Sequence, residues 1–385
     1  MKIAMVTEYA YPLPGGVSEH VHFLSRELVR MGHEVTVISG RLHRQTGDHD
    51  RRLATKSGYR IVRVGHSLPF YINGSIARLT LGPRVRVRLK HALRGMDVIH
   101  AQGLASPSLP IMALSGEAPV ITGTFHTYFT PGKHLLFRLC YHWVGRGLNR
   151  LHRRIAVSSA CIEALDPIFP GNWDIIPNGI DCELFRPLGP DERRPEGPPR
   201  ILFVGRFDPR NALDVLLDAA ALLRDRGHDF VIDVVGDGPT RSVYERQARR
   251  LDLWDRITWH GLVIDGRDRL YREATVFACP CTLASFGVVL LEAMASGTPI
   301  VACDNIGFRQ VIRDSAPGRF VPPRDATALA EGIEELLADP ARRADWAVRG
   351  REAAVTRYSW ASVARQVEGL YREVLHSNGL SGGGI

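Results

Sequence analysis

The chain has 385 residues, of which 45% are apolar and 23% charged, and its formal net charge at pH 7 is +8. This length suffices for two domains, and the composition excludes a chain that is disordered throughout. The positive charge favours an anionic partner such as a nucleotide, a phosphate or an acidic lipid, although solvated surface arginines would give the same total. No recognition motif or aromatic-interleaved basic surface predicts nucleic-acid binding.

Cysteines and apolar segments exclude further classes. The six cysteines form no CxxC pair, which indicates a reduced, cytosolic protein without a disulfide framework. No second Cys or His pair lies at ligand spacing, so we expect no metal site. Residues 1–12 are interrupted by Glu8 too early for a signal peptide, and no apolar run approaches the ~20 residues that cross a bilayer.

The first half of the chain alternates predicted strands and helices. Residues 3–7 are an apolar run typical of a buried strand, and a glycine-bearing loop follows at 12–20. Apolar residues then recur at helical spacing from Val17 to Met31, before a second strand at 35–38. This βαβ unit predicts a parallel sheet. Further strands are predicted at 98–101, 120–124 and 154–157.

The pattern restarts after a change of composition near Phe185. Residues 186–200 are rich in proline, glycine and charge without periodicity, and we interpret them as a linker. The next strands are predicted at 201–205, 230–236, 257–261, 276–280 and 299–303. We therefore predict an α/β protein with domains at 1–185 and 201–358, followed by a helix and tail at 359–385. Ligands in such proteins bind beyond the carboxyl ends of the strands, and a cleft between two domains is the expected site.

Two segments place chemistry directly after a predicted strand. Gly15 and Gly16 let the backbone approach a ligand where a helix start favours negative charge, although a tight turn with positive φ explains them equally. Arg206 has a planar guanidinium that suits a diphosphate, and the alternative is a surface ion pair with Asp208.

A third candidate lies at the start of a later helix. Free backbone amides that favour an anion are predicted at Ser285, Phe286, Gly287 and Val288. Glu292 follows within an apolar segment, where a carboxylate is costly without a partner. It belongs either to a structural network or to a site for paired hydroxyls such as those of a ribose.

Residues 83–95 predict a basic amphipathic helix. Its apolar arc contains Val85, Leu89, Ala92 and Leu93. Its candidate acceptor-binding or membrane-binding residues are Arg84, Arg86, Arg88 and Lys90. Such a helix either lies on an anionic membrane or packs its apolar arc against the protein core. Basic residues in 138–154 form a second candidate patch.

Several segments together resemble the retaining glycosyltransferases of family 4. They are PGGVSEH (14–20), GTFHTY (123–128), PNGID (177–181), GRFDPR (205–210), SFGVVLLEAMASGTPIVACD (285–304) and GFRQVI (307–312). Within that family, YINGSIARLTLGPR (71–84) is similar to the phosphatidylinositol mannosyltransferases. The resemblance covers nearly the whole chain and implies the GT-B fold, in which two Rossmann-like domains face each other across a cleft.

The resemblance also implies roles. The donor would be a GDP- or UDP-linked sugar, with no further cofactor, bound mainly to the C-terminal domain. Gly15 and Gly16 would approach the donor diphosphate and sugar, and His126 would orient or stabilise the sugar. The alternative for His126 is a buried structural histidine. Arg206 would hold the diphosphate, and Glu292 would bind the ribose. Gly261 and Leu262 would flank the nucleobase through backbone groups.

The chain departs from the family pattern at two charged positions. The family usually has Glu where this chain has Ala284, and Lys where it has Asn211; Ala212 also replaces a usual glycine. Loss of one charged transition-state contact costs on the order of 3 kcal/mol, or about 10²-fold in rate. Arg210 is a candidate replacement cation.

These observations predict a retaining enzyme that moves a hexose of mannose or glucose type to an acceptor hydroxyl, on a phospholipid or another glycoconjugate. It would be cytoplasmic, with peripheral contact at the inner face of the membrane as an option. The first alternative is a catalytically impaired homologue that binds a nucleotide or an active partner and regulates it. The second is an active enzyme whose donor sugar lacks the hydroxyl that the missing Glu would contact.

Overall fold

In the computed structural model, the described residues are 1–11, 13, 15–42, 47–72, 75–104, 108–126, 145, 147–167, 169–263, 265–312 and 318–379. They form two compact units. The first comprises residues 1–179 and 360–385, and the second comprises 180–359.

The first unit contains a sheet in the order β4-β3-β2-β1-β5-β6-β7-β8. Its strands are β1 (Lys2–Thr7), β2 (Glu34–Arg41), β3 (Arg60–Ile72), β4 (Ser75–Leu81), β5 (Val98–Gln102), β6 (Val120–Phe125), β7 (Arg153–Ala156) and β8 (Asp174–Ile175). Within the described part of the chain before residue 180, its helices are α1 (Gly16–Arg30), α2 (Gly47–Ser57), α3 (Val85–Ala92), α4 (Leu109–Ala113) and α5 (Ser159–Leu165). The strands pair in parallel except for β3 and β4, which form an antiparallel pair at one edge.

The second unit contains a parallel sheet in the order β11-β10-β9-β12-β13-β14. Its strands are β9 (Arg200–Val204), β10 (Val231–Val235), β11 (Ile257–Gly261), β12 (Val276–Cys279), β13 (Ile300–Cys303) and β14 (Gly318–Val321). Its helices are α6 (Leu213–Asp225), α7 (Arg241–Arg250), α8 (Arg267–Glu273), α9 (Val288–Ala295), α10 (Ile306–Val311), α11 (Ala326–Ala338) and α12 (Pro340–Arg357). The core lies between the sheet and these helices, with Phe203, Leu216 and Ile333 fully enclosed.

Both sheets contain the doubly wound Rossmann order. In each, the first strand of the unit is central, and the chain runs outward on one side before it crosses to the other. This reversal opens a crevice at the carboxyl ends of the central strands, where ligands of such sheets bind. The predicted α/β class with two Rossmann-like sheets is therefore confirmed.

The last helix, α13 (Trp360–Ser377), returns to the first unit. Its apolar face, which includes Trp360 and Val367, packs with Ile3 of β1 and Leu24 of α1 in one core. The change of unit at residue 179 falls before the predicted domain end at 185. The Arg351 guanidinium of the second unit donates to the carbonyls of Cys182 and Phe185. The predicted linker, 186–200, likewise lies within the second unit.

Two predicted segments lie partly outside the described residues. Much of the second basic patch, 138–154, lies outside the described residues, and so does the end of the tail, 380–385. Among the described residues, no helix combines the length and apolar character that crossing a membrane requires.

Candidate functional site

A cavity of about 700 Å³ opens at the carboxyl edge of the second sheet. The residues that line it come from the ends of β9, β10 and β11 and from the start of α8. They are Val204, Gly205, Arg206, Val235, Gly236, Asp237, Gly238, Leu262, Val263 and Arg267. This is the position that the Rossmann order predicts for a ligand, and its volume suits a nucleotide-sized molecule.

The loops after β9, β10 and β11 are tied together by backbone hydrogen bonds. Gly205 N donates to Val235 O at 3.0 Å, and Gly236 N donates to Gly261 O at 2.8 Å. Gly236 has φ +137°, and a Cβ on it would lie 1.9 Å from Gly205 O. Only glycine permits this close approach, so the cavity floor is built from backbone held at fixed spacing.

Arg206 lies on the cavity wall directly after β9, as the sequence predicts. Its side chain is exposed, and no described residue forms an ion pair with it. The alternative, a surface ion pair with Asp208, instead describes Arg210, whose Nη2 lies 3.5 Å from Asp208 Oδ2. Arg206 therefore keeps its guanidinium available for an anionic ligand.

The side chain of Asn211 forms a hydrogen bond to the backbone of the same loop. Its Nδ2 donates to Arg206 O at 2.7 Å, so the amide supports the residue that carries the cavity cation. Arg210, the candidate replacement cation, is 58% exposed at its side chain and is not among the lining residues. Ala212 adopts a left-handed conformation at φ 53°, where a glycine is the less strained choice.

Glu292 is buried in α9 and paired with Arg267, which sequence reasoning did not identify. Glu292 is 2% exposed, and its Oε1 accepts a hydrogen bond from Arg267 Nη2 at 2.5 Å. Burial raises the pKa of this carboxyl above its ordinary value, and the positive charge of Arg267 opposes that rise. The structural network that the sequence offered as one explanation is thus present, and the ribose contact stays a prediction.

Arg267 links this buried carboxylate to the cavity, because the same side chain lines the wall. With Arg206 it places two guanidinium groups at the cavity. In the sequence, Arg267 stands among other charged residues of a surface helix, so nothing in its local pattern distinguished it.

The start of α9 is held rigidly. Gly287 precedes the helix at φ 103°, and Phe286 is buried against Tyr358 with ring centroids 6.3 Å apart. A Cβ on Gly307 would lie 2.3 Å from Ala284 O, so α10 packs directly on this loop. Ser285 and Val288 lie at the same helix start, where amides precede the first helical hydrogen bond, from Leu290 N to Gly287 O.

The predicted nucleobase contacts lie near the cavity. Leu262 is 72% exposed and lines it, and Gly261 ends β11 at φ +66°. A base lying against this segment would meet an accessible apolar side chain as well as backbone.

In the first unit, Gly15 lies between β1 and α1, and Gly16 is the first residue of α1. Both are exposed, Gly15 has φ +144°, and a Cβ on either residue would meet no atom within 4 Å. The conformation of Gly15 demands glycine, whereas Gly16 has neither a positive φ nor a crowded Cβ position. A ligand close to the backbone would explain the second glycine.

His126 follows β6 and belongs to a cluster of histidines in the first unit. Its Nε2 lies 2.8 Å from Gln102 Oε1, and its ring meets the His20 ring edge-on with centroids 4.6 Å apart. Burial and the neighbouring His20 and His100 hold the pKa of His126 well below its usual value of 6.5. His126 is therefore neutral near pH 7. Thr127 and Tyr128, from the same motif, lie outside the described residues.

The basic helix α3 packs its apolar arc inward. Val85, Leu89 and Leu93 are buried against the sheet, so the structure favours the surface-helix alternative for this arc. The four basic residues remain exposed: Arg84, Arg86, Arg88 and Lys90. They stand beside Val87, which is 66% exposed.

The chain also matches known families and proteins. Residues 14–184 match the family described as Glycosyltransferase Family 4, and residues 188–353 match the glycosyl transferases group 1. The chain is 34% identical to a phosphatidyl-myo-inositol mannosyltransferase of Mycobacterium tuberculosis, over 98% of each chain. The chain belongs to glycosyltransferase family 4.

Further relatives agree with this membership. The chain is 28% identical to a GDP-mannose-dependent alpha-(1-6)-phosphatidylinositol monomannoside mannosyltransferase of Mycolicibacterium smegmatis, over 92% of this chain and 94% of the relative. A glycosyltransferase structure from Rickettsia africae superposes with a TM-score of 0.74 at 19% identity, covering 97% of this chain and 98% of that one. An Anabaena protein solved in complex with UDP superposes at 0.73 and 18% identity, covering 98% of this chain and 100% of that one. The protein is a glycosyltransferase with the GT-B fold.

Proposed function

We propose that this glycosyltransferase is a retaining enzyme that transfers mannose from GDP-mannose to a hydroxyl of a phosphatidylinositol-type lipid. The cavity at the carboxyl edge of the second sheet, with Arg206 and Arg267 on its wall, carries the proposal from the structure. The names of the similar proteins support the choice of donor and acceptor.

Arg206 would hold the donor diphosphate. A guanidinium forms two parallel hydrogen bonds to phosphate oxygens, and the exposed side chain of Arg206 needs no existing ion pair to break. The nucleoside would then extend toward Leu262, with Arg267 beside it. Gly15, Gly16 and His126 would contact the sugar, as the family resemblance implies.

The proposed reaction replaces one bond at the anomeric carbon on the same face of the sugar. The bond from this carbon to the leaving phosphate oxygen breaks as the bond to the acceptor oxygen forms. The acceptor proton passes to an oxygen of the leaving diphosphate. Negative charge grows on that diphosphate in the transition state, where Arg206 and the amides at the start of α9 would stabilise it.

Ala284 and Asn211, which replace charged residues usual in the family, concern the rate of sugar transfer rather than the fold. The Asn211 amide is neutral and donates to Arg206 O, so it supplies no cation where the family usually has Lys. Restoring the charges in Ala284→Glu and Asn211→Lys distinguishes a weakened site from a specialised one. A rise in GDP-mannose transfer would indicate a weakened site, and a fall would indicate a donor for which the present residues are suited.

For the acceptor, we propose peripheral contact with an anionic membrane through α3. The exposed basic residues of α3 would meet lipid phosphates, with each charge near such a surface contributing about 1 kcal/mol. Val87 of α3 and the exposed apolar side chains Leu68 of β3 and Leu81 of β4 would enter the interface.

Sedimentation with phosphatidylinositol vesicles tests this contact. The variant Arg86→Gln/Arg88→Gln/Lys90→Gln should lose binding at low salt. A matched triple replacement of the exposed residues Arg246, Arg249 and Arg250 on α7 should retain it. Equal losses in both variants would show that net charge alone, rather than α3, binds the vesicles.

The proposed transfer is tested with purified protein, phosphatidylinositol vesicles and either GDP-mannose or UDP-glucose. We expect mannose transfer from GDP-mannose, with the α-linkage of the donor retained in the product by NMR. Calorimetric titration with GDP and with UDP measures nucleotide affinity independently of sugar transfer. Tight GDP binding without transfer or donor hydrolysis would overturn the enzymatic proposal and favour the regulatory alternative, which the similar proteins do not support.

A further inference from the structure

Gln102, at the end of β5, lies within hydrogen-bonding distance of His126. It is fully buried, and its Oε1 lies 2.8 Å from His126 Nε2. Both side chains stand at the carboxyl ends of adjacent parallel strands, β5 and β6, where Gln102 and Thr124 are in register. This placement brings a buried amide against a histidine at the edge where ligands of this fold bind.

The other atoms of the amide fix its orientation. Gln102 Nε2 lies 3.1 Å from His100 Nε2 and 3.9 Å from Met5 Sδ. A thioether sulfur only accepts hydrogen bonds, so the amino group belongs on that side and the carbonyl oxygen faces His126. Because that oxygen also only accepts, His126 must donate from Nε2.

A proton on Nε2 determines the protonation state of Nδ1, the other ring nitrogen of His126. In the neutral ring, Nδ1 then carries a lone pair and serves as the acceptor. His126 is neutral because burial and its histidine neighbours hold its pKa well below 6.5. It is also partly accessible, unlike His20 and His100.

His100, the neighbour of the Gln102 amino group, also has contacts at both of its ring nitrogens. His100 Nδ1 lies 2.6 Å from the Tyr371 hydroxyl, and His100 Nε2 lies 2.6 Å from Thr124 Oγ1. Tyr371 comes from α13, so the returning helix completes a chain of contacts from Tyr371 through His100 and Gln102 to His126.

We propose that Gln102 is a positioning residue that fixes His126 as the Nε2–H tautomer, with Nδ1 as the acceptor for a hydroxyl of the donor sugar. The proposal rests on the proposed function for the role of His126 and goes beyond it in assigning Gln102. The hydrogen bonds of the Gln102 amide do not depend on whether a donor is bound.

The titratable groups that face His126 among the described residues are histidines. His20 contacts it from α1 and is itself hydrogen-bonded to Asn178 at 3.0 Å, and His100 of β5 lies near enough to affect its pKa. Burial lowers the pKa of His20 to about 4 and that of His100 to about 3, so both are neutral across the range of an assay. A new charge at position 102 would therefore act on His126 without competing cations from these two groups.

Gln102→Glu and Gln102→Met test the proposal. The carboxylate of Gln102→Glu favours the imidazolium, so the acidic limb of the pH profile for transfer should move upward by about one pH unit or more. Gln102→Met keeps the side-chain length but removes the acceptor, and kcat should fall about 10-fold with little change in the KM for donor. If Gln102→Glu does not fold, Gln102→Met alone decides the outcome.

NMR of histidine-labelled full-length protein tests the tautomer without any turnover. In the wild type, His126 should carry its proton on Nε2, and Gln102→Met should lose that preference. The matched control is Thr122→Val, a buried β6 replacement that removes the bond to Arg153 O and leaves His126 untouched. It should lower stability while preserving the His126 tautomer and the pH profile.

The outcomes separate the two proposals. A wild-type His126 with its proton on Nδ1, or a tautomer unchanged in Gln102→Met, would overturn the inference whatever the activity. A confirmed tautomer with an unchanged pH profile and kcat in both variants would overturn the positioning role. If the wild type transfers no sugar from any donor, the proposed function fails, and the positioning role that rests on it fails too, even where the tautomer is confirmed.

Discussion

The two units end their first strand at sites of opposite character. After β1, the chain passes through Gly15 and Gly16 to a region of buried, neutral histidines. After β9, it passes through Gly205 to Arg206, on a cavity wall that also carries Arg267. The strand order around these two positions is the same.

This difference shows that the shared fold supplies an edge with accessible backbone, whereas side chains decide its charge. The first unit presents neutral hydrogen-bonding groups, which suit sugar hydroxyls. The second presents guanidinium groups, which suit a diphosphate. The two strand edges therefore suit ligand groups of different chemistry.

The largest expected effect concerns the Arg267–Glu292 pair of the second unit. Arg267→Met leaves Glu292 buried without its cation, and we expect a loss of about 3–5 kcal/mol in the free energy of unfolding at pH 7. The loss should shrink as the pH falls, because the protonated carboxyl carries no charge. Urea unfolding of Arg267→Met, Glu292→Gln and the double variant measures the coupling. A double variant no more stable than Arg267→Met would contradict it.

The next effect concerns the exposed cation of the cavity. Arg206→Ala should reduce transfer about 10²-fold and weaken calorimetric binding of a nucleoside diphosphate. The matched control is Arg210→Ala, four residues later, whose side chain is exposed outside the cavity and paired with Asp208. Equal effects of the two replacements would show that general charge, rather than the cavity wall, attracts the ligand.

Acid should affect the first unit before the second. Burial lowers the pKa of His20 and His22 to about 4, so these side chains stabilise the fold above an unfolded pKa of about 6.5. That stability is lost as the pH falls from about 6.5 toward 4, on the order of 2 kcal/mol per histidine at pH 4.5. The protection of β1 and α1 amides against hydrogen exchange, relative to their intrinsic exchange rates, should therefore decrease as the pH falls.

His22→Phe provides the control for this pH dependence. Phenylalanine keeps a ring against Tyr11 but cannot be protonated, although it loses the bond to the Tyr59 hydroxyl. Stability at pH 7 should fall, and its dependence on pH should become shallower. An unchanged slope would show that His22 does not carry the acid sensitivity.

The smallest expected effect concerns Gly16, and it tests whether a ligand lies against the backbone at the start of α1. Gly16→Ala should leave stability unchanged or raise it by up to about 1 kcal/mol, since the added Cβ meets no atom within 4 Å and alanine favours a helix. Transfer should nevertheless fall about 10-fold if the donor lies against this backbone. Thermal unfolding and the transfer assay together measure it, and full activity would remove the loop from the donor site.

Much of the fold follows from local pattern. The strands predicted at 3–7 and 201–205 correspond to β1 and β9, because short apolar runs before glycine-bearing loops are typical of buried parallel strands. The β3–β4 pair was not predicted. Gly65 and Pro69 interrupt the first of these strands in sequence, and only pairing with its neighbours makes it a strand.

The site was predicted less completely than the fold. Arg206 could be identified because it directly follows a predicted strand, and Glu292 because a carboxylate interrupts an apolar segment. Arg267 and Gln102 could not be identified, since neither has a local pattern that sets it apart. Each acquires its role from a contact with a residue at least 24 positions away.

The sequence by itself determined the family, the α/β class and the positions where loops follow strands, because these depend on residue type and short-range spacing. The tertiary structure decided what those positions contact. It paired Glu292 with Arg267, engaged Asn211 with the backbone of Arg206, turned the apolar arc of α3 inward, and set Gln102 against His126. Burial and long-range contacts fix such partnerships, and neither is encoded in the spacing of neighbouring residues.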